Sequence, residues 1–410
     1  MLKNELKYGK YSIYFDSIKS ITKINDLIKL MNVISKTNNH NVVFDFTKMR
    51  KQSYTSVHVS IAGIAQFYEE NMGFTIEFKE KTGMYMAYTE TTHPLSVAEN
   101  NDSLIKNIFD KVLIFSTSEE VAFISDQIIN QLKYGYDFEN GVLVGLSWCM
   151  NEIMDNVFNH SNAPRGYIMA QVHSHKKVVS ISIFDTGCGL FKSLSESKEY
   201  SPENEEQAIR LAVQKGVTGN REIGQGNGLW GLSKIVEENK GHMSIYTGHT
   251  NVIFDFENSK DIVKRNLPIL GNENLSTRID FNFYFENSIN LNKALDNYVP
   301  FEKINRETEE ILMDTGWLDF VVKNESRDGL GTRQAGKSLK RHLLNMAKYD
   351  EHPILINFKD IDVITSSFAD EFIGKLVSEI GFVQFSSRFR MINLNEIVSA
   401  LINKAILERK

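Results

Sequence analysis

Residues Gly224-Gln225-Gly226-Asn227-Gly228-Leu229 constrain this chain more tightly than any other stretch. Three glycines at alternate positions run straight into the helical pattern Trp230-Gly231-Leu232-Ser233-Lys234-Ile235. Alternating glycines expose successive backbone N–H groups, and the start of the helix adds a partial positive charge. Together they form an anion cradle suited to phosphates. A dinucleotide-binding fingerprint would follow the first strand of a strand–helix–strand unit, whereas this loop follows a long charged stretch over residues 190–228. No GxxxxGK[ST] occurs, so a P-loop is excluded.

Two further pieces precede it. A helix is predicted over residues 141–159, with Val142, Leu146, Met150, Ile153 and Val157 as its buried stripe. Glu152 and Asn156 lie four apart and share one face of that helix. A carboxylate so placed can accept a proton, and an amide oxygen beside it can coordinate a hard cation such as Mg2+. Alone, the pair also describes an ordinary solvated helix face. Next, the apolar strand Ser180-Ile-Ser-Ile-Phe184 runs into Asp185-Thr186-Gly187-Cys188-Gly189-Leu190. A carboxylate at a strand end can accept from an exocyclic amine, and the glycines let backbone approach a flat ligand. Alone, this is also a common Asp-Gly turn.

The order of the three pieces is the specific signal. Together they resemble the GHKL superfamily of gyrase, the heat-shock chaperone ATPases, histidine kinases and the anti-sigma serine kinases. Asn151-Glu-Ile-Met-Asp-Asn-Val-Phe-Asn-His160 resembles its N box, and residues 185–190 and 224–235 resemble its two glycine boxes. The resemblance implies Glu152 as general base and Asn156 as Mg2+ ligand, with His160 closing the box. It implies that Asp185 reads the adenine amine beside Gly187, Gly189 and Leu190, supported by Thr277 on the closing strand. Gly224, Gln225, Gly226, Asn227, Gly228 and Leu229 would border the triphosphate of ATP. Residues 191–223 would form a lid, with Thr218 near its far end.

The flanks differ from this middle segment. Strands are predicted over 11–15 and 41–46 and helices over 21–34 and 55–70. The C-terminal segment gives strands over 317–322 and 354–358 and helices over 332–347, 367–380 and 395–408. Val42–Met49 can be laid over Ile354–Ile361, which brings the helices near Thr55 and Ser367 into coincidence. Residues 331–376 resemble STAS-like domains, and Ser366 and Ser367 match the position phosphorylated in anti-anti-sigma proteins. Ser367, followed by Asp370 and Glu371, also reads as an ordinary helix N-cap.

The fold expected is therefore α/β (α+β): a central GHKL Bergerat-type sandwich over 113–290, an N-terminal α/β unit over 1–112 open to being STAS-like, and a STAS-like unit over 300–410. A length of 410 residues fits two or three domains. A net charge of −6 argues against nucleic-acid binding. Cys149 and Cys188 offer neither a disulfide framework nor a zinc site. No leader pattern and no membrane-length apolar run occurs, so a soluble cytoplasmic protein is expected. His58 and His93 lie outside any acceptor-histidine context, which disfavours a histidine kinase. Two expectations of different class follow. One is an ATPase or serine/threonine kinase acting on a STAS domain. The other is an ATP-gated switch, with a homodimer open to it and the flanking units as protein-interaction modules.

Overall fold

A computed structural model describes residues 2–15, 21–49, 54–80, 85–161, 163–197, 199–219, 227–271, 273–295, 317–326, 329–349 and 353–409. These form three sheets with helices packed on them, as the α/β expectation requires.

The N-terminal sheet opens with a hairpin, Lys3–Lys7 against Lys10–Tyr14. Its two turn residues, Tyr8 and Gly9, both have positive φ, the two-residue geometry that matches strand twist. Asn41–Asp45 and Thr75–Lys79 then add in parallel, through the helices Ile21–Ile34 and Thr55–Met72. The C-terminal sheet repeats the parallel part: Leu318–Val321, Ile354–Asn357 and Phe389–Ile392, with Arg333–Tyr349 between the first two. The strands aligned in the sequence, Asn41–Asp45 and Ile354–Asn357, are each the middle strand of their parallel set.

Between them lies an eight-stranded sheet. From edge to edge its strands are Lys260–Lys264, Thr250–Asp255, His242–Thr247, Thr277–Tyr284, Val178–Asp185, Gly166–His173, Leu113–Phe115 and Leu95–Ser96. Gly166–His173 and Val178–Asp185 are buried almost throughout, and alternation explains how. Ile168, Ala170, Ile181 and Ile183 point into a core shared with the helices Ser118–Gly135 and Val142–His160. Tyr167, Met169 and Phe184 point the other way, into the core of the N-terminal unit. There the helix Thr55–Met72 lies on the sheet, with Thr55 Oγ1 2.7 Å from Ser182 Oγ and Arg278 Nη1 donating to Ser60 Oγ at 3.1 Å. Two buried faces account for strands that read as continuous apolar runs.

Three expectations change. Leu95–Ser96 joins the middle sheet, although the sequence boundary at 112 places it in the first unit; it pairs in parallel with Leu113–Phe115. The stretch expected as one long lid holds two helices, Gly189–Ser195 and Glu205–Ala212, the second capped by Asn204. Its residues 198 and 220–223 lie outside the described set. The cap of the helix beginning at Ser366 is Thr365, not Ser367: Thr365 Oγ1 accepts from Phe368 N at 3.1 Å. Among the described residues no helix is long and apolar enough to cross a membrane.

Candidate functional site

One cleft gathers most of the expected residues, opening between the helix Val142–His160, the ends of the central strands and the N-terminus of the helix Gly228–Glu238. It holds about 1050 Å³ of empty space, part of it open to solvent.

At one end the strand Val178–Asp185 delivers Asp185, whose Oδ1 accepts from Gly187 N at 2.8 Å. Thr277 stands opposite Asp185 in register, on the neighbouring antiparallel strand. Cys188 N donates to Ser161 O at 2.8 Å, drawing this turn against the end of the long helix. A side chain at Gly187 would collide with that Ser161 carbonyl, so the glycine is required by close approach. Gly189 has φ +74, and Leu190 N donates to Thr247 Oγ1 at 3.0 Å. Burial pushes the Asp185 carboxyl up to about 7, while the Gly187 N–H and the Ser161 hydroxyl pull the other way. Asp185, Gly189, Leu190 and Thr277 all line this end of the cleft. A buried acceptor beside a glycine-lined slot suits a flat ligand that carries an amine.

At the other end Glu152, Asp155 and Asn156 project from the long helix into the cleft. Gly228 faces them: a Cβ there would lie 3.1 Å from Glu152 Oε2 and 3.2 Å from Asn156 Nδ2. Asn227, Leu229 and Thr218 also line the cleft. Gly224, Gln225 and Gly226 lie outside the described residues, as does the side chain of His160 at the helix end.

The third wall comes from the C-terminal unit. Ser366, Ser367 and Arg333 line the same cleft. Glu152 Oε1 accepts from Ser366 Oγ at 2.8 Å and from Ser367 N at 3.3 Å. Burial raises the Glu152 carboxyl above its ordinary value, opposed by those two hydrogen bonds and by the charge of Arg333. The hydroxyls of the two serines are in different circumstances. Thr365 Oγ1 donates to Gly331 O at 3.0 Å and lies 3.1 Å from Ser367 Oγ, so Ser367 spends its proton on Thr365. Ser366 alone offers its proton to the carboxylate.

Arg333, Asp155, Ser161 and Thr365 belong to the cleft or its frame and escaped the sequence reading. Asp155 and Ser161 sit inside or just beyond the N-box pattern and were legible there. Nothing local marks Arg333, whose place depends on how the C-terminal unit docks.

The comparisons with known proteins bear mainly on that unit. Residues 335–399 match a family described as a STAS-like domain of unknown function (DUF4325). No curated protein matches the chain significantly. Among solved structures, the ATP-binding domain of topoisomerase IV of Francisella tularensis, determined with a small-molecule inhibitor, aligns at 14% identity with a TM-score of 0.23. That alignment covers 49% of this chain and 47% of that one, so it spans less than half of its length.

Proposed function

We propose that the chain binds ATP in this cleft and transfers its γ-phosphate to Ser366 of its own C-terminal STAS-like unit. The division into a GHKL-type ATP-binding unit between two small α/β units belongs to the same reading. One observation carries it: the residue matched to the general base, Glu152, accepts a hydrogen bond at 2.8 Å from Ser366, one of the two serines matched to the phosphorylated position. Both were selected from separate sequence patterns.

In this reading Asp185 accepts from the adenine amine, with Thr277 and Leu190 bounding the ring. The triphosphate runs toward Asn156 and Gly228. Asn156 suits a Mg2+ ion, which commonly takes one or two protein oxygens and completes its shell with phosphate oxygens and water. Bound there, the ion would neutralise charge on the phosphate oxygens. Glu152 takes the Ser366 hydroxyl proton as Ser366 Oγ forms a bond to the γ-phosphorus. The bond from that phosphorus to its bridging oxygen breaks, and the electron pair leaves with ADP. Product is phosphoserine at 366 and a protonated Glu152.

The full chain incubated with γ-labelled ATP and Mg2+, followed by site mapping, tests this. Label on Ser366 is expected. Phosphate release with no label on Ser366, Ser367 or Thr55 would replace it with the ATP-gated switch, in which Ser366 and Ser367 act as a plug whose docking responds to nucleotide. The STAS-like unit would then serve as a protein-interaction module, and nucleotide-dependent mass or shape would report a homodimer.

A further inference from the structure

Among the described residues, the cation that lines the cleft, Arg333, comes from the same unit as the candidate acceptor serine. Arg333, at the start of the helix Arg333–Tyr349, lies beside two buried acids of the C-terminal unit, Asp370 and Glu371. Those acids are already served. Arg409 grips Asp370 with both ends of its fork, Nε to Oδ1 at 2.6 Å and Nη2 to Oδ2 at 2.7 Å. Lys375 holds Glu371 at 2.7 Å. Arg333 reaches both acids only through Nη1, at 3.3 and 3.4 Å, and its buried Nε makes no hydrogen bond. A guanidinium has five N–H donors in a rigid fork and stays charged at any physiological pH. Here it is held at one corner by two long contacts, with an orphaned donor, against a cleft it shares with Glu152, Asn156 and Gly228.

We infer that Arg333 binds the oxygens of the γ-phosphoryl group, so that the STAS-like unit supplies both the acceptor hydroxyl and the cation that neutralises charge during transfer. The inference rests on the ATP reading above. An anion with three equivalent oxygens satisfies a fork that the neighbouring acids leave under-used, and such contacts are the strong, charge-assisted kind. The consequence is an assembly condition. Undocked, the ATP site lacks its cation and its acceptor together, so nucleotide held there is protected from transfer.

The test compares binding of β,γ-imido-ATP and ADP to the full chain by calorimetry, for wild type, Arg333→Met and Arg333→Lys. Wild type is expected to prefer the triphosphate, and Arg333→Met to lose most of that preference while keeping its affinity for ADP. Removing one such donor costs on the order of 10²–10³-fold in rate, so label transfer to Ser366 should fall by about that factor. Millimolar guanidinium ion should restore part of it in Arg333→Ala, which a merely structural role would not allow. A preference unchanged in Arg333→Met overturns the inference. If that variant also loses ADP binding through misfolding, Arg333→Lys decides, since it keeps a charge beside Asp370 and Glu371. An unchanged preference in Arg333→Lys overturns the inference, and a reduced one supports it. Wild type that binds no nucleotide refutes the ATP reading and this inference with it, whereas wild type that discriminates but labels nothing refutes only transfer to Ser366.

Discussion

Glu152 Oε1 and Ser366 Oγ meet at 2.8 Å although 214 positions separate them in the chain. The carboxylate belongs to a helix that builds the middle unit, and the hydroxyl belongs to the loop–helix junction of the C-terminal unit. The same oxygen also takes the Ser367 N–H. An ionised carboxyl buried here would be costly without such donors, and both donors come from a unit that no local signal ties to the helix.

Ser366→Ala should abolish phosphate incorporation, whereas Ser367→Ala should retain most of it. The reason is the direction of the two hydroxyl protons, one toward Glu152 and the other toward Thr365. Mass spectrometry of each variant after incubation with ATP checks this. Label that survives Ser366→Ala and vanishes in Ser367→Ala reverses the assignment.

Glu152→Gln should keep nucleotide binding and lose transfer by roughly 10²–10⁴-fold, the usual worth of a positioned base. The amide matches the carboxylate in shape but cannot take the proton. In the wild type, burial raises the Glu152 carboxyl above its ordinary value of 4.5. A general base acts in its ionised form, so in the proposed role the rate should climb with pH through that raised value and fall away below it. A rate profile whose acid limb sits at or below an ordinary glutamate's, or a Glu152→Gln variant of normal rate, contradicts this role.

Asp185 makes a separate pH prediction. Its carboxyl stands at about 7 in the folded protein against 3.8 ordinarily. Between those values the folded chain holds a proton that the unfolded chain has released. This group's contribution to stability is therefore greatest at low pH and declines as pH rises through that window. An adenine amine donating to the carboxylate favours its charged form. Nucleotide binding just below neutrality should then release protons. Calorimetry in two buffers of different ionisation enthalpy measures the release, and Asp185→Asn should bind more weakly and show none. Proton uptake on binding would mean that the ligand does not donate to this carboxylate.

Much of this site was readable because its chemistry is local. Glu152 and Asn156 share a helix face, and Asp185 follows its strand directly. The predicted stripe Val142, Leu146, Met150, Ile153 and Val157 is buried throughout. Other features depend on packing between units, which no periodicity encodes. The long helix buries more than its stripe, Trp148, Cys149 and Met154 included. Arg333 reads as one more basic residue until Asp370, Arg409 and the cleft are assembled around it. The edge pair Leu95–Ser96 is too short to register as a strand in any pattern.

Gly63 tests how the N-terminal unit is held. A Cβ at this helical position would meet Phe184 on the central sheet, with the Tyr167 ring 3.2 Å away. Gly63→Ala should destabilise the chain by about 1–3 kcal/mol, the usual cost of overpacking a dense core. Gly73→Ala is the contrasting case: it has open space around it but φ +66, so its cost is backbone strain rather than collision. Denaturant midpoints measure both. A Gly63→Ala midpoint equal to wild type would show that the helix Thr55–Met72 can lift from the sheet.

Gly331 tests how the C-terminal unit is held. It packs against Asn151, one residue before Glu152, and a Cβ there would collide with the Asn151 side chain. That side chain has little room to yield, because its Nδ2 donates to Ser125 Oγ and to Ser147 O, each at 2.9 Å. The Gly331 carbonyl in turn accepts from Thr365 Oγ1, whose residue caps the helix that starts at Ser366. Pushing Gly331 away from Asn151 therefore moves Ser366 away from Glu152. Gly331→Ala should keep ADP binding, whose contacts lie on the other walls of the cleft, while labelling of Ser366 falls by up to about 10²-fold, the cost of even a 1 Å misplacement. Hydrogen exchange should rise around residues 365–369 and stay unchanged around Asp185. Labelling at the wild-type rate in this variant would show that the Gly331–Asn151 contact does not set the position of Ser366.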